Sequence, residues 1–225
     1  MSSHLTAKEA EPGSGVKFDH PAEADHKVTV VDREAGSVVC EPKRDKVAII
    51  GFATSSRDLA PFDDPDYEIW TLNQLYRHVP RATRHFDIHC NWDEDNVEGT
   101  DHRGWIRESP IPVYMMEAHD EFPNAVRYPI DRVIADAGID YFTSTVAFEV
   151  GLAMVEGFKE ISLYGIDLIV GTEYSVQKAC LEFWLGMAHA RGINVRIPGE
   201  SALLKQAYRY GYEREPSWGP LQMSE

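Results

Sequence analysis

A chain of 225 residues with 43% hydrophobic and 26% charged residues is long enough to bury a full core and has a globular profile. Its formal charge of −15 leaves no basic excess for phosphates, which excludes a general nucleic-acid-binding surface. No apolar run approaches the roughly 20 residues of a membrane span.

The three cysteines, Cys40, Cys90 and Cys180, are too scattered for a zinc motif or a disulfide framework and suit a reducing compartment. With no basic-then-apolar leader at the start, the expected location is cytoplasmic.

Residues 1–26 are rich in Glu, Ala, Pro, Gly, Ser and His, and such a segment buries too little to order itself, so a flexible tail is expected. Residues 27–45 carry Lys27-Val-Thr-Val-Val and Ser37-Val-Val-Cys around Gly36, a β-hairpin signal. The hairpin either docks on the main domain or serves an oligomer contact. From Lys46 the pattern becomes apolar strands alternating with helical stretches, the mark of an α/β domain over 46–207. Strands are expected over 47–52, 68–72, 85–89, 113–115, 160–164 and 194–197. Helices are expected over 57–61, 102–108, 130–137, 144–156 and 174–191, the last two ending at Gly157 and Gly192. Residues 208–225 form an aromatic, turn-rich tail. The predicted fold is a Rossmann-like, mostly parallel sheet with helices on both faces.

The run Lys46-Val-Ala-Ile-Ile-Gly-Phe-Ala-Thr-Ser-Ser reads as a buried strand that breaks at Gly51 into a small-residue loop. Such a loop sets backbone N–H groups and the hydroxyls of Thr54, Ser55 and Ser56 at the carboxyl edge of the sheet, where ligands of open α/β sheets sit. It is a degenerate signal, with one glycine where a dinucleotide fingerprint has three and no Gly-Lys-Ser/Thr phosphate loop. The same edge gathers Asn73 and Gln74, His89, Asn91 and Asp93, the helix start Thr143-Ser144, and Gly165 and Asp167. Plainer roles stand beside these: Asn73 as a turn former, Ser144 as an N-cap, Asp167 as a loop tie.

His85-Phe-Asp87-Ile-His89 alternates so that two imidazoles and a carboxylate share one strand face, a set compatible with a divalent metal. Alternatively His89 alone serves at the strand tip as a general base. Arg77, Arg81 and Arg84 read as a solvated rim. No nucleophile elbow, paired-carboxylate motif or Cys/His signature is present, which leaves little support for a serine hydrolase or protease.

Together, Ile50-Gly-Phe-Ala-Thr-Ser-Ser, Asn73-Gln-Leu-Tyr76, Phe142-Thr-Ser-Thr and Gly157-Phe-Lys-Glu-Ile-Ser-Leu-Tyr-Gly-Ile-Asp167 resemble the bacterial sialyltransferases of glycosyltransferase family 42. They resemble more distantly the pterin pyrophosphokinase-like enzymes, and the whole also resembles phage-encoded Rossmann-like proteins. The likeness spans about residues 46–205. It implies that Gly51, Ser55, Ser56, Asn73, Thr143 and Ser144 hold a nucleotide or nucleotide-sugar, with Tyr174 as the family's tyrosine after the Gly-Ile-Asp loop. The sequence departs from the family in two places. Tyr141 replaces an arginine before the Thr-Ser helix start, and the lid bearing the family's catalytic histidine is cut to 168–173.

The expectation is therefore a nucleotide- or nucleotide-sugar-binding, glycosyltransferase-like transferase, with His89 or Asp93 as base and with sialic acid disfavoured as donor. The alternatives are a nucleotide sensor or sequestering protein without chemistry and a structural or assembly protein with a vestigial pocket. No general nucleic-acid or membrane partner is expected, and a homo-oligomer is compatible with the hairpin and tail.

Overall fold

The computed structural model describes residues 27–89, 92, 101–169 and 172–205. The two tails, Asp93 and Asn91 lie outside them.

The chain begins with an antiparallel hairpin, β1 (Lys27–Asp32) and β2 (Ser37–Glu41), turned at Gly36 with φ +68. There follow β3 (Lys46–Ile50), a 3-10 turn at Arg57–Leu59, β4 (Tyr67–Leu72), a 3-10 segment at Asn73–His78 and β5 (Arg84–Phe86). Next come α1 (His102–Glu108), β6 (Val113–Met115), β7 (Ala125–Arg127), α2 (Ile130–Ala137) and α3 (Thr145–Glu156). β8 (Glu160–Tyr164), α4 (Thr172–Ala190) and β9 (Asn194–Arg196) complete the series.

The seven strands after the hairpin form one sheet in the order β7-β6-β5-β4-β3-β8-β9, every pairing parallel. This is an α/β, Rossmann-like architecture. Strands covered on both faces must be apolar on both, and in β3 Val47, Ala48, Ile49 and Ile50 are all fully buried. Val47 and Ile49 pack with Trp70 and Phe86 against α3 (Val146, Val150, Ala153) and α4 (Leu181, Trp184). Ala48 and Ile50 face the other way, against Leu75 of the 3-10 segment and Val79 just after it. Further along that sheet, Val113 and Met115 of β6 meet Ile106 of α1.

Both long helices have the ends their sequences dictate. Ser144 caps α3 by accepting from the Ala147 N–H at 3.4 Å, and Gly157 closes it in the left-handed conformation. α4 starts two residues before its expected beginning.

Three expected strands, the first, the third and the last, stop short of their predicted ends, the last at Arg196 rather than 197. The first ends at Ile50 rather than 52, because Gly51 already bends towards β8. The third ends at Phe86 rather than 89, so His89 is not on the strand. Two elements were not anticipated, β7 and the 3-10 segment after β4. β7 has three residues in a stretch punctuated by Pro123, Asn124 and Pro129, too short for a period to show.

The hairpin docks on β7. In a parallel edge strand alternate residues turn outward, and here Arg127 donates its N–H to the Arg33 carbonyl (2.8 Å). The Arg33 guanidinium returns hydrogen bonds to the carbonyls of Ala125 (3.0 Å), His119 (2.7 Å) and Phe122 (3.3 Å). Gly36 is needed at the turn, since a Cβ there would stand 2.5 Å from the Arg127 carbonyl oxygen.

Beneath the hairpin lies a buried ion network. Arg84 donates to both oxygens of Glu68 (2.7 and 3.1 Å), to Glu156 of α3 (2.9 Å) and to the Tyr114 hydroxyl (3.2 Å), and it lies 5.0 Å from the Trp70 ring centroid. Burial opposes its charge, but Glu68, Tyr114 and Glu156 outweigh that penalty and hold its pKa well above the usual arginine range.

Candidate functional site

Strand order reverses between β3 and β8. The chain leaves β3 towards β4 and β5, and returns through α3 to place β8 on the opposite flank of β3. Ligands of such sheets bind outside the carboxyl ends of the strands at this point. Because α3 runs antiparallel to β8, its N-terminus lies at the same edge, and α4 starts there too.

The β3 and β8 loops are fastened together. Gly51 donates to the Tyr164 carbonyl and Ala53 to the Gly165 carbonyl, both at 2.8 Å. The approach is so close that a Cβ on Gly51 would stand 2.5 Å from the Gly165 oxygen, and one on Gly165 would stand 2.5 Å from the Gly51 oxygen. Gly165 also has φ +67. Ser56 is buried and accepts from the Gly165 N–H (2.9 Å), while Ser55 donates to Asp167 Oδ2 (2.8 Å). Gly51, Ser55, Ser56, Gly165 and Asp167 thus form one cluster. Thr54 is exposed at its rim. The N–H groups of Gly51 and Ala53, expected to face a ligand, are spent on β8 instead.

The acceptor oxygens Asn73 Oδ1 and Asp167 Oδ1 at this edge have no hydrogen-bond partner among the described residues although both are buried. Asn73 follows β4 and Asp167 follows β8, so they flank β3 from either side. Asn73 has φ 48 and Leu168, next to Asp167, has φ 49. Left-handed backbone costs a non-glycine residue of order 1–3 kcal/mol, asparagine less, and such strain collects at ligand sites.

Ser144 occupies the N-cap of α3. Thr143 donates its hydroxyl to the Val176 carbonyl (3.4 Å), which ties the start of α3 to the first turns of α4, where Tyr174 is 45% exposed. His89 is exposed beyond the end of β5. These residues lie along the same edge without hydrogen bonds to the Gly51 cluster among the described residues.

The His-x-Asp-x-His pattern does not assemble. His85 is held by the Thr71 hydroxyl (Oγ1···Nδ1 2.9 Å), and burial, followed by the charge of His102, pushes its pKa down to about 3. Asp87 pairs instead with His102 Nε2 (2.5 Å), whose Nδ1 lies 3.3 Å from the Tyr76 hydroxyl. Tyr76 in turn stacks on Trp105 at 3.8 Å. This buried Asp87–His102–Tyr76 chain pins α1 to β5 and was not legible in the sequence, since its members come from three separate elements. No group of three His, Cys, Asp or Glu side chains arranged for a metal occurs among the described residues.

The expected arginine rim also separates. Arg84 is the centre of the buried network, Arg81 donates to the Asp64 and Tyr67 carbonyls (3.0 Å each), and only Arg77 is fully at the surface.

No family model matches the chain, and no curated protein sequence matches it. Among solved structures it is similar to the sialyltransferase CstII from Campylobacter jejuni in complex with the substrate analogue CMP-3FNeuAc. The identity is 17% over 68% of this chain and 79% of that one, with a TM-score of 0.48. CST-II in complex with a trisaccharide acceptor and CMP gives 15%, 68%, 80% and 0.47, and the monofunctional α-2,3-sialyltransferase Cst-I from Campylobacter jejuni gives 13%, 68%, 75% and 0.44. The fold assignment stands on the strand order and helix placement described above. No helix among the described residues is long and apolar enough to cross a membrane.

Proposed function

We propose that the crevice between β3 and its two neighbours binds a nucleotide or nucleotide-sugar, and that the protein is a glycosyltransferase-like transferase. The observation that carries this reading is the pair of donorless buried oxygens, Asn73 Oδ1 and Asp167 Oδ1, on either side of Gly51. A buried acceptor left unpaired costs about 1–3 kcal/mol, and a ligand rich in O–H and N–H donors, such as a ribose with an aminated base, removes that cost.

In this reading Ser55 and Ser56 hold the β3 loop against Gly165 and Asp167, and Thr54 lines the rim. Thr143, Ser144 and Tyr174 shape the α3–α4 wall. Transfer needs a base for the acceptor, and His89 or Asp93 takes that role, with exposed His89 able to exchange its proton with solvent. A divalent metal is compatible with the reaction.

The test is a thermal-shift panel of nucleotides and sugar nucleotides. A ligand present at 100 times its dissociation constant stabilises by about 2.7 kcal/mol and raises the Tm. Asn73→Ala is expected to weaken that ligand about tenfold, the loss of roughly one good hydrogen bond. No shift with any member of the panel would remove the reading.

The passage from Tyr164 at the end of β8 to Thr172 at the start of α4 is short and favours a second reading, nucleotide binding without transfer. Product release by the wild type but not by His89→Ala supports the transferase. Ligand binding without product from either protein supports the sensor.

A further inference from the structure

The β3 loop has two flanks of opposite charge. On the β8 side stands Asp167. On the β4 side, Phe52 projects into solvent, 45% exposed, immediately after Gly51. The His78 ring meets it edge-on, with centroids 6.4 Å apart and planes at 73°. Arg57 hooks back across this corner, Nη1 donating to the Phe52 carbonyl at 3.3 Å. Arg77 is exposed beside His78 at the end of the 3-10 segment.

These three basic side chains are poorly matched by acids, in a chain of formal charge −15. Four other arginines face carboxylates: Arg103 and Arg107 meet Glu121, Arg191 meets Asp136, and Arg196 meets Glu160. Here the one ion pair among the described residues joins Arg57 Nε to its own neighbour Asp58, at 3.5 Å, and Asp58 is 82% exposed. Arg77 and His78 have none among the described residues. The crowding is felt, because the His78 pKa is lowered by burial first and then by Arg57 and Arg77. Uncompensated positive charge beside a cleft concentrates anions there, and an exposed ring next to it offers a flat apolar surface.

We propose that Phe52, Arg57, Arg77 and His78 form a subsite for a phosphate or carboxylate group carried on a planar or apolar body. Arginine supplies the planar fork of donors that such anions accept, His78 adds a further donor, and Phe52 covers the body of the ligand. The inference takes its position from the crevice reading above but needs only the patch itself. The anionic group has two sources, the phosphate of a crevice nucleotide or that of a second substrate.

Phenyl phosphate is the probe, titrated into the full chain by NMR or calorimetry, with benzyl alcohol as the uncharged control. Phenyl phosphate is expected to bind and benzyl alcohol not to bind. Arg77→Ala and Phe52→Ala, both at exposed positions, are expected to weaken the probe about fivefold or more, as is raising the ionic strength to about 0.5 M. Displacement of the probe by CMP identifies the anion as the nucleotide's own phosphate, and simultaneous binding identifies a second substrate. If phenyl phosphate binds but CMP and the nucleotide panel do not, the crevice reading falls and the subsite stands. Absence of probe binding to the wild type, equal binding of benzyl alcohol, or affinity unchanged in both variants overturns the proposal.

Discussion

Gly165 accepts no other residue. A Cβ there would stand 2.5 Å from the Gly51 oxygen and 2.8 Å from the Ala53 oxygen, and φ is +67. Gly165→Ala is expected to destabilise by about 3 kcal/mol or more, read from the urea midpoint, because backbone strain and overlap add. Glu149 is the opposite case, a residue that stability does not want. It is fully buried within α3, neither carboxylate oxygen has a hydrogen-bond partner among the described residues, and burial raises its pKa well above 4.5. Below about pH 4.5 the carboxyl is protonated in both the folded and the unfolded chain and imposes no penalty. As pH rises from there the unfolded chain loses its proton first, and the folded state loses up to about 1.4 kcal/mol per pH unit until the raised folded pKa is passed. Glu149→Gln is therefore expected to raise the Tm at pH 7–8, with the gain shrinking towards pH 4.5. A gain independent of pH would show that the carboxyl does not ionise differently in the two states.

Among the elements, the Arg84 network and the hairpin clamp make separate demands. Arg84→Met would leave Glu68 and Glu156 buried without their cation, a loss expected to cost about 3–5 kcal/mol in chemical denaturation. Arg33→Ala removes three hydrogen bonds to the 119–125 segment. It is expected to speed amide exchange across β1, β2 and β7 while leaving β3 and β8 protected, since opening is local. Uniform acceleration throughout the sheet would show that the hairpin and the core unfold as one unit.

These same elements show what could be read beforehand. β3, β4 and β8 are long apolar runs bounded by glycine or polar residues, and their order and character were legible. So were α3 and α4, with glycines behind them. β7 was not, because three residues carry no periodicity and its strand character comes from β6 and Arg33. The site divides in the same way. The Gly51, Asn73, Ser144 and Asp167 positions follow from the rule about strand ends. Asp87 with His102 and His78 with Phe52 depend on contacts between distant segments, which local spacing does not encode.

For the molecule as a whole, a formal charge of −15 means that compaction brings like charges together. The Tm is expected to rise as salt increases from about 0.01 to 0.3 M, because screening acts on exposed carboxylates and hardly at all on the buried Arg84 network. A falling Tm would show that surface ion pairs such as Arg103–Glu121 outweigh the repulsion.

The hairpin has a consequence for how copies of this chain meet one another. An open parallel sheet normally presents its outermost strand as a template on which a neighbour can lay its own backbone. At β7 the outward N–H of Arg127 and the outward carbonyl of Ala125 are already taken, both by Arg33. The protein thus ties off these two groups of that border with its own preceding segment, and crowding in a concentrated solution finds them occupied. A cut between the hairpin and β3 would turn a self-limited sheet into one able to recruit its neighbours.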